Sequence, residues 1–508
     1  MYNNNNNKCV TLTCMLLFLF IREGGFMDKY NFTLMCDFYE LTMANGYFEA
    51  GMKDQICYFD VFYRTVPDHG GFAIAAGLDI VIDYIKNLHF NEEEIEFLRG
   101  KNCFSEKFLE YLKNFKFTGD IYAMKEGTPV FPKEPIMIIK SNTIEAQFIE
   151  TYVLSVINHS SLIATKANRI VRASEKHPIS EFGARRAHGP LAATLGARAA
   201  FIGGCTGTSN VLTDYLYGVP STGTMAHSWI QMFDTEYEAF EHYCKVYPDN
   251  VTLLVDTYNI LKSGVPNAIK AFDNVLKPLG KRPKAIRLDS GDIAYQSTKA
   301  RKMLDEAGYP DCKIVASNSL DEYIIRDLFF QGAAVDSFGV GERMITSKSS
   351  PVFDGVYKLV AVEKNGEVVP KIKVSENVEK ITNPHFKKVY RLIANDTNKA
   401  IADLITVFDE EAPKGEIEIF DPEASWKRKT IDNYYVQELL VPVVLKGEIV
   451  YQTPTMQEIQ DYCKGEVKKL WDEVKRFENP HNYYVDLSQK LWDIKQDLLR
   501  KANAKKVK

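Results

Sequence analysis

The sequence lacks the cysteine patterns of disulfide-stabilised and zinc-binding proteins. Its nine cysteines are scattered over 508 residues, with no CxxC pair and no cysteine–histidine spacing of the kind that binds zinc. Disulfide frameworks are typical of small secreted domains, whereas scattered cysteines are typical of a reducing compartment. The sequence therefore predicts a cytoplasmic protein.

The sequence also lacks a strong excess of charge and a long apolar run. Its net charge of −5 provides no general attraction to nucleic acid or to acidic membranes, so any anion-binding site must be local. The N-terminal apolar run, 9–21, is shorter than the roughly 20 residues that a membrane helix needs. We therefore predict that neither nucleic acid nor a membrane is a partner.

Residues 1–26 are interpreted as an extension to the folded protein. Their apolar run has the length of a signal-peptide core, but only Lys8 precedes it and no convincing cleavage site follows. Met27 lies just before the first segment that has the pattern of a folded domain. We predict that residues 1–26 are disordered or a start-site artefact, with a targeting role as the alternative.

The remaining sequence divides into three regions by its pattern of apolar residues. Residues 27–150 mix helix-like and strand-like segments and predict an N-terminal α+β domain. Residues 151–350 contain short apolar runs at intervals of about 20 to 33 residues, the length of a βα unit. Residues 351–508 begin with strand-like segments, including a hairpin signal at Asn365 and Gly366, and end in charged helices. We expect these C-terminal strands to pack on the N-terminal domain.

The apolar runs of residues 151–350 predict an α/β barrel or an open parallel sheet. The candidate strands lie in PISEFGARR, AAFIGGCTGTSN, GTMAHSWI, TLLVDTYN, AIRLDSGD, KIVASNS and AVDSFGVGERM. Repeated βα units bring the carboxyl ends of their strands to one site in both architectures. The polar residues that end each run are therefore expected to be neighbours.

Several of these strand ends carry groups that bind anions. Arg185 and Arg186 place two planar guanidiniums next to each other, and the loops at 318–319 and 339–341 offer backbone amides. An isolated pair of arginines more often forms surface ion pairs, and neither GxGxxG nor GxxxxGK[ST] occurs in the sequence. Recurrence at successive strand ends favours a phosphorylated substrate over chance turns.

The segment RLDSGD combines a cation with two carboxylates. Arg287 is followed by Asp289 and Asp292, which are the candidate ligands of a Mg²⁺ ion bound with substrate phosphates. Such a segment is, on its own, usually a turn with solvated acids. TLLVDTYN superficially resembles a ribose-phosphate loop, but it has Asp256 alone where such loops carry two acids.

His227, in STGTMAHSWI, has more than one interpretation. A metal site is disfavoured because no second histidine or cysteine lies nearby in the sequence. A neutral imidazole is a competent nucleophile toward phosphorus, and Thr224 and Ser228 are candidates to orient it or to bond a transferred phosphoryl group. A buried histidine satisfied by hydroxyl groups accounts for the same residues equally well.

From Met27 onward the chain resembles the nicotinate phosphoribosyltransferases. The similar segments occur in the order of that family and include CDFYELTMANGYFEAG, EGTPVFPKEP, SLIATKANRI, EFGARRAHGP, GVPSTGTMAHSWI, LLVDTYN, RLDSGD, SNSLDE, SFGVGERMITS and NPHNYYVDLSQKLWD. The resemblance implies formation of nicotinate mononucleotide and diphosphate from nicotinate and 5-phosphoribosyl 1-diphosphate. It also implies coupling to ATP hydrolysis, a need for Mg²⁺, and a place in NAD biosynthesis.

The resemblance implies a fold and a site as well. The fold is an irregular α/β barrel of the type II phosphoribosyltransferases with additional N-terminal and C-terminal regions, in homodimers that share active sites. Phe182 and Tyr39 of the partner subunit are expected to stack on the two faces of the pyridine ring. Arg287 is expected to bind the carboxylate of nicotinate, and Thr224 to lie beside it.

The remaining positions implied by the resemblance concern phosphate. His227 corresponds to the histidine that ATP phosphorylates in this family. The expected catalytic residues are His227, Arg185, Arg287 and Asp289. The expected phosphate contacts are Arg185, Asn318, Ser319, Gly339 and Gly341.

Three other functions compete with this one. Nicotinamide phosphoribosyltransferases carry aspartate where this chain has Ser209, and an aspartate there would repel a carboxylate, so Ser209 favours the acid substrate. Quinolinate phosphoribosyltransferases are shorter and need more cations for two carboxylates. The third alternative is a barrel that binds a ligand as a scaffold and catalyses no reaction. The presence of all four expected catalytic residues argues against it: Arg185, His227, Arg287 and Asp289.

Overall fold

The computed structural model describes residues 32–375, 377 and 380–505, which form two compact units. One unit joins the described residues up to 161 to those from 352 onward, and the other comprises residues 162–351. Regions predicted as an N-terminal domain and a C-terminal region therefore share one unit. The predicted extension, 1–26, lies outside the described residues. Within the described part of the chain, no helix has both the length and the apolar character needed to cross a membrane.

The strands of the 162–351 unit have at most four residues, whereas the longest strands lie in the other unit. In chain order they are β1 (Ile56–Tyr63), β2 (Ala73–Ile74), β3 (Asp120–Met124), β4 (Pro129–Val130), β5 (Met137–Asn142), β6 (Ile179–Glu181), β7 (Gly207–Thr208), β8 (Thr252–Leu254), β9 (Ala285–Leu288), β10 (Lys313–Ala316), β11 (Ser337–Val340), β12 (Gly355–Lys364), β13 (Glu367–Pro370), β14 (Lys387–Ala394), β15 (Ala400–Val407), β16 (Ile417–Asp421), β17 (Ala424–Ile431), β18 (Tyr434–Glu438), β19 (Leu440–Leu445), β20 (Glu448–Ile449) and β21 (Val485–Leu487).

The α-helices lie before, between and after these strands. In chain order they are α1 (Phe38–Glu49), α2 (Leu78–Asn87), α3 (Glu92–Arg99), α4 (Glu106–Lys113), α5 (Thr143–Phe148), α6 (Glu150–Ala173), α7 (Pro190–Ile202), α8 (Val211–Tyr217), α9 (His227–Gln231), α10 (Glu236–Val246), α11 (Val265–Ala271), α12 (Ile293–Glu306), α13 (Glu322–Phe330), α14 (Glu342–Ile345), α15 (Met456–Lys469) and α16 (Gln489–Lys505).

A seven-stranded antiparallel sheet organises the first unit, in the order β13-β12-β1-β5-β3-β19-β20. Strand β1 is buried along most of its length, and the Asp60 carboxylate within it lies 2.9 Å from Lys387 Nζ, so the buried charge is paired. The predicted hairpin is confirmed: β12 and β13 are joined by Asn365 (φ 51°) and Gly366 (φ 79°), the positive values that a tight hairpin turn requires.

A six-stranded parallel sheet organises the second unit, in the order β7-β6-β11-β10-β9-β8. The apolar residues of β9, β10 and β11 are buried except Val315, which is partly buried, as expected for strands that are largely covered on both faces. The predicted mixed α/β character is therefore present. Strands β7 and β8 are the two ends of the hydrogen-bonded order, and closure into a barrel stays a prediction.

Two of the predicted strands were wrong. The run AAFI in AAFIGGCTGTSN is the last turn of α7, and the strand that follows it is only Gly207–Thr208. The segment GTMAHSWI contains no strand, because helix α9 begins at His227. Helix α7 is buried almost all round, so its apolar residues show no amphipathic period that distinguishes a helix from a buried strand.

Candidate active site

A cavity of about 510 Å³ lies at the carboxyl ends of the parallel strands of the 162–351 unit. The predicted site residues that line it are Phe182, Arg185, Ser209, Thr224, His227, Arg287, Asp289, Asn318, Ser319, Gly339 and Gly341. Of the residues predicted for the site, Tyr39 and Asp292 are not among those that line this cavity. The convergence of polar strand ends expected from the sequence is therefore present.

Phe182 lies directly after β6 and is held against β11. Its backbone N–H donates to the carbonyl of Val340 at 2.8 Å. A Cβ atom on Gly339 would overlap the Phe182 ring, so only glycine at position 339 leaves enough space for the ring. The Arg287 guanidinium carbon lies 5.6 Å from the centre of the same ring. An aromatic face and a cation are thus next to each other in the cavity.

Arg287, on β9, is held by three neighbours. Its Nε donates to Ser317 Oγ at 2.9 Å, one terminal nitrogen donates to Thr224 Oγ1 at 3.3 Å, and the other to Asp289 Oδ1 at 3.2 Å. Ser317 also donates to Asp289, which closes the network. Each terminal nitrogen carries a second hydrogen, so the oriented guanidinium retains donors for a carboxylate.

His227 is the first residue of α9, and its side chain is 42% exposed. Its Nδ1 lies 3.1 Å from Thr257 Oγ1, in a hydrogen bond whose direction depends on the tautomer. The orienting hydroxyl is therefore that of Thr257 and not those of Thr224 or Ser228, the two candidates chosen from the sequence. Thr224 instead accepts from Arg287.

Two carboxylates lie on the Nε2 side of His227. Asp256 Oδ1 is 3.9 Å and Asp289 Oδ2 is 4.0 Å from this nitrogen. Asp256 Oδ2 accepts from the Asp289 N–H at 3.2 Å and from Ser290 Oγ at 2.7 Å. Asp256 Oδ1 is buried and has no hydrogen-bond partner in the described part of the chain. Such an atom has a free lone pair for a cation or a proton donor.

Asp256 and Thr257 were not chosen from the sequence, although a signal for them was present. Both follow β8 in the segment TLLVDTYN, which had been interpreted as a strand with a polar end. Asp256 was set aside because it lacks the adjacent acid of a ribose-phosphate loop. Its position at a strand end is the feature that should have kept it among the candidates.

The structure separates the two aspartates that were predicted to bind a metal. Asp289 lines the cavity, but Asp292 is the N-cap of α12, where its Oδ1 accepts from the Tyr295 N–H at 3.0 Å. Among the described residues, no group of three or more histidine, cysteine, aspartate or glutamate side chains is placed to hold a metal ion.

The loops predicted to bind phosphate lie beside these groups. Asn318 has a left-handed backbone (φ 99°), and its Oδ1 accepts from the Ser319 N–H at 2.8 Å. Gly341 precedes α14, and Arg185 and Arg186 lie in the single 3₁₀ turn Ala184–Arg186. The backbone amide of Ser319 is thus already engaged, whereas the side chains of both arginines line the cavity.

Tyr39 belongs to the other unit, near the beginning of α1, and is 43% exposed. Its hydroxyl lies near the Glu150 carboxylate. Partial burial, with Glu150 and Glu40 nearby, raises the pKa of the Tyr39 phenol, so the group is a neutral donor near pH 7. Contact of Tyr39 with the site of a partner subunit stays a prediction.

Family models match the chain over most of its length. Residues 34–158 match the N-terminal domain of nicotinate phosphoribosyltransferase, residues 177–410 match the nicotinate phosphoribosyltransferase family, and residues 386–495 match its C-terminal domain. These ranges include every predicted site residue.

Individual proteins are similar over nearly whole chains. A nicotinate phosphoribosyltransferase of Bacillus subtilis is 42% identical over 486 residues, which are 95% of this chain and 98% of that one. The crystal structure of human nicotinic acid phosphoribosyltransferase superimposes with a TM-score of 0.80 at 27% identity, covering 91% of this chain and 99% of the human chain. The structure of nicotinate-nucleotide pyrophosphorylase from Pyrococcus furiosus gives a TM-score of 0.67 at 25% identity, covering 87% and 96%.

Proposed function

The chain belongs to the nicotinate phosphoribosyltransferase family, and from that premise we propose that it couples formation of nicotinate mononucleotide to ATP hydrolysis through a phosphohistidine at His227. The family resemblance drawn from the sequence motifs is thereby confirmed. The observation that carries the proposal is a single cavity in which an aromatic ring, an oriented arginine and a histidine lie together at strand ends. The reaction brings nicotinate into NAD biosynthesis.

Nicotinate binds against Phe182 and Arg287 in this proposal. The pyridine ring stacks on Phe182, and its carboxylate accepts from the terminal nitrogens of Arg287. Thr224 lies at the same end of the ring, because its hydroxyl already contacts Arg287. The ring nitrogen is unprotonated near neutral pH, so it attacks the sugar without a general base.

The second substrate is 5-phosphoribosyl 1-diphosphate. A bond forms between the pyridine nitrogen and C1 of the ribose while the bond from C1 to the diphosphate oxygen breaks. Arg185 and the loops at 318–319 and 339–341 hold the phosphates, and the cations offset the charge that develops on the leaving group. The Asn318 side chain must release the Ser319 N–H if that amide is to bind phosphate.

His227 carries the link to ATP. An imidazole nitrogen attacks the γ-phosphorus, an N–P bond forms, and the bond to the ADP oxygen breaks. Water later takes the phosphoryl group and releases inorganic phosphate. Thr257 orients the ring. Since the chain has no P-loop motif, ATP uses the anion site of the sugar diphosphate.

The cavity also fits a Mg²⁺ ion bound with substrate phosphates. Mg²⁺ is usually held in such sites by one or two carboxylates, phosphate oxygens and water. Asp289, which lines the cavity, and Asp256, with its unpartnered Oδ1, are the carboxylates that would hold it, in place of the expected Asp289 and Asp292. When bound, the ion supplies neutralisation of the diphosphate charge.

A homodimer completes the site in this proposal. Tyr39 of the partner subunit covers the face of the pyridine ring opposite Phe182. The half-exposed Tyr39 ring, oriented by Glu150, is consistent with this role.

The proposal is tested by product formation with the purified chain. We expect nicotinate, 5-phosphoribosyl 1-diphosphate and Mg²⁺ to yield nicotinate mononucleotide, with ATP increasing the yield. Nicotinamide in place of nicotinate should be a poor substrate. A scaffold without catalysis would form no product even at high enzyme concentration.

We expect Gly339→Ala to raise the KM for nicotinate about tenfold, because the added methyl group displaces the Phe182 ring and overpacking of this kind costs about 1–3 kcal/mol. Steady-state kinetics with nicotinate varied measures the effect. Gly46→Ala is the matched control, since no atom lies within 4 Å of the added carbon. Equal KM values in the two variants would show that the Phe182 ring does not contact the substrate.

We expect Ser209→Asp to lower the preference for nicotinate over nicotinamide by about tenfold or more. The new carboxylate repels the carboxylate of nicotinate and accepts from the amide of nicotinamide. Ser209→Asn has nearly the same shape without the charge and serves as the control. The ratio of kcat/KM for the two substrates is the measurement, and a ratio equal to that of the wild type would refute the assignment of Ser209.

A further inference from the structure

We propose that Glu181, which does not line the cavity, is a positioning residue that holds Phe182 and Ser209 in the geometry needed to select a pyridine carboxylate. The inference rests on the proposed function, because it concerns how the nicotinate site is shaped. Glu181 is the last residue of β6, a central strand of the parallel sheet. Its side chain is fully buried.

The Glu181 carboxylate joins two segments that line the cavity. One oxygen, Oε1, accepts from the Gly183 N–H, directly after Phe182. The other, Oε2, accepts from Thr208 Oγ1 at 2.7 Å, directly before Ser209. The backbone carbonyl of Glu181 accepts from the Ser209 N–H at 2.9 Å. A single residue, Glu181, therefore connects the segment that contains Phe182 to the segment that contains Ser209.

The hydrogen-bond directions require an acceptor on both carboxylate oxygens. The Thr208 hydroxyl oxygen accepts from the Asn210 N–H at 3.0 Å, and its own hydrogen is then directed to Glu181. The Gly183 N–H is a donor only. Burial raises the pKa of Glu181, whereas the bonds from Thr208 and Gly183 favour the ionised form. An ionised carboxylate matches two donors, but an amide, with one oxygen and one NH₂ group, does not.

Close packing holds the Glu181 carboxylate and the turn at Gly183 in place. A Cβ atom on Gly183 would lie 2.6 Å from the Ile345 side chain and 2.8 Å from Glu181 Oε1, so the turn after Phe182 rests closely on the carboxylate. Thr208 continues the connection, because its carbonyl accepts from the Thr222 N–H at 2.8 Å, two residues before Thr224. Three of the proposed nicotinate contacts thus depend on the position of Glu181.

The test compares Glu181→Gln and Thr208→Val with the wild type. We expect each to raise the KM for nicotinate about tenfold, to change kcat less than about threefold, and to lower the preference for nicotinate over nicotinamide. Since both changes disturb the contact between Glu181 and Thr208, their effects in the double variant should be less than additive. Thr208→Ser retains the hydroxyl group and should restore the KM.

Glu126→Gln is the matched control for a purely structural effect. Glu126 is also a buried glutamate that accepts from a glycine N–H, that of Gly77 at 2.6 Å, but it lies in the other unit. We expect it to lower the melting temperature without changing the KM for nicotinate. If Glu181→Gln and Thr208→Val lower the melting temperature in the same way and leave KM and preference unchanged, the positioning role is wrong.

Calorimetric binding of nicotinate separates failure of this inference from failure of the proposed function. Weaker binding in Glu181→Gln and Thr208→Val, restored in Thr208→Ser, supports the positioning role even if the wild type forms no product. Turnover by the wild type with equal binding in all variants supports the function and refutes the role of Glu181. If Glu181→Gln does not fold, Thr208→Val and Thr208→Ser decide the question.

Discussion

We expect His227→Ala to abolish both the stimulation by ATP and the incorporation of acid-labile phosphate from ATP, while some transfer independent of ATP remains. The imidazole is the proposed nucleophile toward phosphorus, and alanine has no atom that can replace it. Arg287, Phe182 and the phosphate loops are unchanged, so the sugar transfer itself retains its binding groups. We expect kcat/KM without ATP to fall by no more than about tenfold, equivalent to about 1.4 kcal/mol.

The measurement uses ATP labelled at the γ-phosphate, with acid and alkaline quenching of the enzyme, together with product formation with and without ATP. His242→Ala is the control, because His242 is exposed on α10 and stacks on Phe233 away from the cavity lining. ATP stimulation that persists in His227→Ala would exclude this residue as the phosphate carrier. Loss of all transfer, with or without ATP, would instead place His227 in the sugar transfer.

The second large effect concerns Arg287. We expect Arg287→Ala to raise the KM for nicotinate by about 100-fold or more, because it removes two charge-assisted hydrogen bonds to the carboxylate, each worth about 1.5–3 kcal/mol. The use of nicotinamide should fall much less, so the preference between the two substrates nearly disappears. Asp289 loses its cationic neighbour in the same variant. Arg287→Lys keeps the charge without the planar pair of donors and should recover only part of the affinity.

Arg282→Ala is the matched control for this prediction. Arg282 precedes the same strand but forms an exposed ion pair with Asp311 and does not line the cavity. Its loss should leave the KM for both substrates unchanged, since exposed ion pairs contribute little. A KM for nicotinate that rises equally in Arg287→Ala and Arg282→Ala would show that Arg287 does not bind the carboxylate.

Site residues could be predicted from the sequence where their position depends on one short segment alone. Arg287 lies near the carboxyl end of an apolar run, and Phe182, Arg185 and Asp289 follow such runs. These positions in parallel strands meet at one edge of the sheet. The motifs around them also allowed the family to be recognised. The hairpin at Asn365 could be predicted for the same reason. The dipeptide Asn365–Gly366 by itself favours the positive φ values that the turn requires.

Predictions failed where the answer depended on contacts between segments. Helix α7 was mistaken for a strand because burial on all sides removed its periodicity. Asp292 as a metal ligand stays a prediction, but its position as the N-cap of α12, outside the cavity lining, could not be read from its spacing to Asp289. Thr257, the partner of His227, is 30 residues away in sequence and was not considered.

The sequence by itself determined the family, the mixed α/β class and the chemical inventory of the site. The family, the fold class and the inventory follow from residue types, from the spacing of apolar residues and from motifs. Each of these signals can be read from a short segment of the sequence. Only the tertiary structure decided that Thr257 orients His227, that Asp256 joins Asp289 beside it, and that Thr224, 63 residues from Arg287, contacts it. The physical reason is that strand pairing sets these neighbours, and pairing depends on burial and register across the whole sheet.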